Sequence, residues 1–387
     1  MLKNLNLKIK IFFLVTVVVV VSFVAVTWIV SNRSIEMAKK DAFSLAEETA
    51  EKYKNEIKAE LQGARVTSET LATVIETLKK HNLTDRSMMN DILKNALAQK
   101  EYITAFCIAY DPNALDGKDE QYAGQKPEYD ETGRFSPYWN KLGGNIEVEP
   151  LYDIDIADWY VVPRTTLHEY ITDPYPYQVQ GNFVMLASFV FPLIHEGKFI
   201  GIIASDIVLD KLQEMVSRVN TRGQEGYTEI FSNSGVVVAH PEKQYLGKDL
   251  MEASTYEMLT SGSSGVEGAL RHAKKYMEEN PVEDQTDETQ VEQYKNLVKF
   301  VHNLEEYATN SDKAGLDLSL LSPGPARAVL EADAGRLQHA MEAKDAIKSG
   351  KIHVESGMDF YTVYMPIQFS EFTNPWSVAV SIPMSEV

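Results

Sequence analysis

Between Tyr152 and Asp206 the chain gathers aromatic rings and acids that could do chemistry together: Tyr152, Asp155, Asp158, Trp159, Tyr160, Asp173, Tyr175, Tyr177 and Asp206. Ring faces attract a cation by about 0.5–2 kcal/mol each. An acid set among rings is therefore suited to an ammonium or quaternary ammonium group, and Asp155 and Asp158 could add charge. The front half of this stretch is too rich in rings for an ordinary solvated loop and reads as a lid over a pocket. The competing reading is that Trp159, Tyr160, Tyr175 and Tyr177 close a core, while Asp206 caps a helix or pins a turn. The histidines, among them His168, His195, His240 and His353, stand apart from other ligand-type residues at metal spacing, so no metal site is expected. The chain lacks a Gly-x-Ser-x-Gly elbow, a His-Glu-x-x-His pair, a Walker loop and a dinucleotide fingerprint, so neither an enzyme nor a cofactor is expected.

These residues need a scaffold. Phe183–Phe191 and Phe199–Ile207 have strand character and flank a turn at Glu196-Gly197-Lys198, giving a hairpin that ends on Asp206. Before it, Tyr102–Tyr110 reads as a buried strand containing the single cysteine, Cys107, which is a small core hydrophobe and excludes intramolecular disulfides. The acid-rich loop Asp111–Asp119 fails the frame of a calcium loop at Leu115 and Asp116 and is an acidic turn. A helix over Asp85–Lys100 turns Met88, Met89, Ile92, Leu93 and Leu97 inward. After the hairpin, Val208–Val219 has helical spacing and leads to a second module near Gly226. That module holds a hairpin at Tyr227–Phe231 and Val236–Ala239 and closing strands at Phe360–Pro366 and Trp376–Ile382.

At 387 residues, with 44% hydrophobic and 24% charged, the chain exceeds one ordinary domain. A formal charge of −19 argues against nucleic acid as a partner, since phosphate neutralisation needs a basic face. Ile9–Val30 is almost unbroken apolar sequence, reaching about 33 Å as a helix, enough to cross a bilayer. Lys3, Lys8 and Lys10 flank its start and place the N-terminus in the cytoplasm with the rest outside. The run is longer than a cleaved signal's core and closes on Val26-Thr27-Trp28, favouring a retained anchor.

From Ser34 to about Lys80 a stripe of Ala46, Ala50, Tyr53, Ile57, Leu61, Ala64, Leu71, Ile75 and Leu78 gives one long helix. Its length exceeds what one module covers, so it runs along something tall, along its twin, or both, and part of the stripe is expected to face a second copy in a parallel homodimer. Residues 259–322 look inserted: a Ser/Gly joint at Ser261–Gly265, an acidic stretch at Glu278–Glu292, and helix stripes reading as a hairpin or small bundle. The resulting organisation is a tail over 1–8, a span over 9–31, a stalk over 32–80, a distal module over 81–219 and a proximal module over 220–387.

The phrases Thr132–Trp139, Asp158-Trp159-Tyr160, Asp173–Tyr177 and Gly201–Ile207 together resemble the double-Cache sensor domains of bacterial chemoreceptors and sensor histidine kinases. Gly235–Pro241, Leu246-Gly247-Lys248 and Pro375–Val378 with Ile382-Pro383 are similar to the membrane-proximal Cache unit. The resemblance covers roughly residues 34–258 and 325–387. It implies an α+β fold in which two PAS-like modules with antiparallel sheets stand on a long helix as a homodimer in the inner membrane, the sensor outside. Such receptors cross the membrane again, so the chain is expected to be a fragment lacking its output, either a chemotaxis or a kinase module.

The resemblance also implies a small ligand in the distal unit. Amino-acid-binding members carry Tyr, four residues, Arg, one residue, Trp-Tyr, then Tyr-x-Asp and a final Asp. Tyr152, Trp159, Tyr160, Tyr175 and Asp206 fall on matching positions, but Ala157 stands for the arginine and Tyr177 for the first aspartate. The clamp for a ligand carboxylate is missing, which disfavours amino acids and leaves an amine held by Tyr152, Asp158, Trp159, Tyr160, Tyr175, Tyr177 and Asp206. The alternative function is a docking ectodomain that uses the helical insert.

Overall fold

A computed structural model describes residues 7–219, 226–260, 263–279, 288–309, 329, 334–356 and 360–383. Lys3, the joint at 261–262, the acids of 280–287 and the expected end of the insertion at 322 lie outside them. The fold is α+β, with two antiparallel sheets following a long N-terminal helix.

Helix α1 (Leu7–Lys80) runs unbroken through both the apolar segment and the stalk, 74 residues or about 110 Å. Its first part, from Ile11 to Val30, leaves large apolar side chains exposed, and it is the one helix among the described residues long and apolar enough to cross a membrane. Its later part follows the predicted stripe: Ala46, Ala50, Tyr53, Ile57, Leu61, Ala64, Leu71 and Ile75 are all buried. The expectation that part of this stripe faces a second copy is corrected. Two sheets stacked along the helix cover it, with β6 (Asn182–His195) and β7 (Lys198–Val208) of the first sheet and β11 (Phe360–Ile367) and β12 (Trp376–Pro383) of the second all packing on α1. The two modules together are tall enough to bury the stripe within one chain.

The distal sheet has the order β3-β2-β1-β7-β6-β4, with β5 also paired to β6. Its strands are β1 (Ala105–Tyr110), β2 (Pro137–Asn140), β3 (Glu147–Pro150), β4 (Tyr170–Ile171) and β5 (Tyr175–Val179). Helix α2 (Arg86–Ala98), capped by Asp85 accepting from the Met88 amide, packs on β1 and β2. The acidic turn before the short α3 (Asp119–Tyr122) is neutralised internally: Arg86, buried, reaches Asp116 at 2.7 Å and Asp119 at 2.6 Å. Helix α4 (Asp158–Thr166) lies over β6 and β7, and α5 (Leu209–Val219) continues directly from β7.

The proximal sheet has the order β10-β11-β12-β8-β9, with β8 (Tyr227–Phe231), β9 (Val237–Ala239) and β10 (His353–Ser356) completing it. Helices α6 (Leu250–Thr260), α7 (Ser263–Glu279), α8 (Glu288–Thr309) and α9 (Ala334–Ser349) contribute to an apolar core of their own around Leu259, Val266, Ala269, Leu297, Phe300 and Ala340.

Candidate functional site

Strand alternation sorts the distal sheet into two faces. On β7, Ile203 and Ile207 join the core shared with α1, while Ile202, Ala204 and Val208 join a second core on the opposite face. Asp206 has the parity of that second set. On β1 the same rule sends Phe106, Ile108 and Tyr110 to the α1 side and Ala105, Cys107 and Ala109 to the other. The register places Asp206 opposite Ala105 on β1 and opposite Ser188 on β6, in the middle of the sheet.

Over this second face α4 and β5 close a cavity lined by Cys107, Tyr138, Leu151, Trp159, Tyr175, Tyr177, Ser188, Ala204 and Asp206. The cavity volume is about 10 Å³, room for about one water in this arrangement. Asp206 is 3% exposed. Its Oδ1 accepts from Ser188 Oγ at 2.7 Å, and the Tyr175 hydroxyl lies 3.0 Å from the same Oγ. Ser188 gives its proton to Asp206, so Tyr175 donates to Ser188, and the three form a chain of hydroxyls pointing at the acid.

Burial pushes the Asp206 carboxyl from the ordinary 3.8 up to about 6, only partly offset by Ser188 and Tyr138. No basic side chain lines the cavity among the described residues. The Tyr138 hydroxyl is near enough to lower the acid's pKa but forms no hydrogen bond of acceptable geometry. Burial also raises the pKa of the Tyr138, Tyr175 and Tyr177 hydroxyls and of the Cys107 thiol, with Asp206 adding to each. All four stay neutral at pH 7, leaving Asp206 as the group in the cavity that can carry charge.

Of the residues predicted from the sequence, Trp159, Tyr175, Tyr177 and Asp206 meet in this cavity. Tyr152 does not line it. Its ring is 40% exposed and stacks on Tyr177 at 4.4 Å, and its hydroxyl accepts from the Gln178 amide at 2.6 Å, so it braces a lining ring from outside. Tyr160 is buried next to the cavity but faces elsewhere: Arg134 Nη2 donates to its hydroxyl at 2.7 Å, and that hydroxyl donates to Asp111 at 2.5 Å. Asp158 is exposed in the first turn of α4, where a negative charge suits the helix dipole, and its charge acts on Tyr170. Asp155 is exposed and pairs with Arg134 at 3.0 Å. Both acids missed the cavity because they sit at the solvent side of the α4 start, whereas Trp159 points in.

Tyr138, Cys107, Ser188, Leu151 and Ala204 were missed. Inward parity on β1, β2, β6 and β7 is the signal that finds most of them, but it needs the pairing register. Ala157 is the residue preceding α4 and supplies no side-chain cap.

Residues 89–214, which include every lining residue, match the family model described as methyl-accepting chemotaxis protein-like, first PDC sensor domain. The methyl-accepting chemotaxis protein TlpQ of Pseudomonas aeruginosa is 30% identical over 178 residues, 42% of this chain and 25% of that protein. The chain thus spans about a quarter of the length of that curated relative.

Among solved structures, the extracellular domain of the histidine-kinase candidate mmHK1S-Z3 superposes with a TM-score of 0.60 at 24% identity, covering 90% of this chain and 96% of that one. The periplasmic sensory domain of the Campylobacter jejuni chemoreceptor Tlp1 gives 0.58 at 11% identity, covering 90% and 97%. Residues 89–214 are thus similar to the sensor domains of chemotaxis receptors, and the chain as a whole shares the fold of these extracellular and periplasmic sensor domains.

Proposed function

We propose that this chain is the extracytoplasmic sensor of a transmembrane chemoreceptor and that its distal cavity takes a small organic cation. The observation that carries the reading is Asp206: a carboxylate buried at the centre of the sheet, raised to about 6 by desolvation, with no basic neighbour in the cavity. A buried acid without a cation is costly, and such groups concentrate where a ligand completes them. Trp159, Tyr138, Tyr175 and Tyr177 line the cavity with it, and aromatic rings favour a positive charge. Amino acids fit less well, because Ala157 and Tyr177 supply no anchor for a ligand carboxylate.

The closed cavity has room for one water, so a ligand enters by displacing α4, which carries Trp159. The far end of α4 is tied to both neighbours. Leu167 closes the helix in a left-handed conformation, His168 stacks on Phe372 of the proximal module at 4.6 Å, and Glu169 pairs with Arg65 of α1 at 2.7 Å. On the other side Asp206 lies in β7, which runs into α5. Gln213 of α5 binds the His240 backbone of the proximal module at both its carbonyl and its amide. A ligand held between α4 and β7 thereby biases contacts with the stalk and the second module, by as much as its affinities for the two states differ.

The orientation, with Lys8 and Lys10 inside and the sheets outside, and assembly as a homodimer belong to the same proposal. A thermal-shift screen of the full chain in detergent, with amines, amino acids and organic acids, tests it. Amines should raise the melting temperature in a concentration-dependent manner, and stabilisation by organic acids alone would refute it.

A further inference from the structure

The polar atoms around Asp206 are unequally used. Tyr175 and Ser188 spend their protons in one direction, ending on Oδ1. Ser188 is the side chain seen donating to this carboxylate with good geometry among the described residues, and Tyr138 is close enough to lower its pKa. The hydroxyl of Tyr138 has no hydrogen-bond partner of good geometry among the described residues, although this side chain is 1% exposed and its strand position faces the cavity. The Tyr138 hydroxyl lies close enough to Asp206 to act on its carboxyl, and it can turn its proton towards the acid while accepting from a ligand through its lone pair.

A quaternary ammonium would set methyl groups against the carboxylate and this hydroxyl and give neither a donor in a dry site, which costs binding free energy. An ammonium with N–H groups satisfies them: one N–H donates to the Asp206 carboxylate and a second to the Tyr138 hydroxyl, while Trp159 and Tyr177 contact the rest of the ligand. The cavity is also tight, which suits a small charged head.

Resting on the reading of this cavity as a cation site, we propose that Tyr138 is a specificity-determining residue. With the Asp206 carboxylate it makes the site select primary amines over quaternary ammonium ions.

The test is calorimetric titration of the full chain in detergent micelles at pH 7.5 with propylamine, N,N-dimethylpropylamine and propyltrimethylammonium, which share a tail and differ only in N–H count. Wild type should bind propylamine about tenfold or more tightly than propyltrimethylammonium, the size expected for losing hydrogen bonds to a charged group. Tyr138→Phe keeps the ring and removes an unpartnered hydroxyl, so the fold should hold, as an unchanged melting curve of the apo form would confirm. The variant should lose about tenfold in propylamine affinity and leave propyltrimethylammonium within about twofold.

If Tyr138→Phe leaves propylamine unchanged, or if it instead tightens propyltrimethylammonium, selection is by size and the proposal falls while the cation site stands. Wild type binding all members equally has the same consequence. Failure of every member to bind overturns the proposal together with the reading of the cavity.

Discussion

Replacing Asp206 by asparagine should separate function from stability, because the acid is a liability to the unliganded fold. Its carboxyl rises from 3.8 to about 6 through burial, which at 1.36 kcal/mol per tenfold is roughly 3 kcal/mol against the folded state at pH 7. The sign follows from proton linkage: the folded acid holds its proton more tightly than the unfolded one. The native state is therefore favoured most below pH 3.8, and that advantage is lost as pH rises through about 6.

An amide keeps the shape and can still accept from Ser188, but its NH₂ needs an acceptor. Tyr138 can supply one, and where it does not, the unmet donor returns about 1–3 kcal/mol. The comparison of wild type with variant across pH removes this offset, since it is the same at every pH. Thermal unfolding of both proteins in detergent at pH 4 and pH 7.5 should show the variant gaining roughly 2.5 kcal/mol relative to wild type between the two, on the order of 5–10 °C for a module of this size. A gap between the two proteins that does not change with pH would refute the argument, because Asp206 would then not be a strained buried acid.

Affinity for an amine should be level above pH 7 and fall about tenfold per unit below pH 6, since a protonated Asp206 offers no charge; calorimetry between pH 5 and 8 reads this, and affinity rising on acidification would contradict it. Trp159→Ala removes a lining ring that is 6% exposed, so it should cost about 3 kcal/mol of stability and weaken amine binding, as melting curves and titration would show. Ala157→Arg should move preference towards ligands bearing a carboxylate, checked by titrating an amine against the amino acid of the same chain length. Leu45 is 41% exposed on α1 while its neighbour stripe is buried. A cysteine there should give disulfide-linked dimers in membranes where one at Ile57 gives none, and equal cross-linking at both would speak against dimers that meet through exposed faces of α1.

What the sequence made legible was whatever depends on period alone. The 3.6-residue stripe of α1 and the apolar strands of the β6–β7 hairpin are local patterns, and they fold as their spacing demands. Helix α4 was hidden: it carries Pro163 and follows a run of acids and rings, so its nine residues looked like part of a loop. Asp155 and Asp158 resembled site acids by type and position, yet they lie on the solvent side, where charge is cheap. Tyr138 and Cys107 were seen as strand or turn residues, because their facing Asp206 depends on β1 pairing with both β2 and β7, a non-local register no local pattern encodes.

The most direct test is titration of the full chain in detergent, at pH 7.5, with the best amine from the screen against wild type and Asp206→Asn. Binding by wild type with loss of about a hundredfold or more in the variant is the predicted result, since removing the one charge in a dry site leaves the ammonium uncompensated. Equal affinity of both proteins would remove Asp206 from the site, and a best ligand that proved to be an anion would contradict the account at its centre.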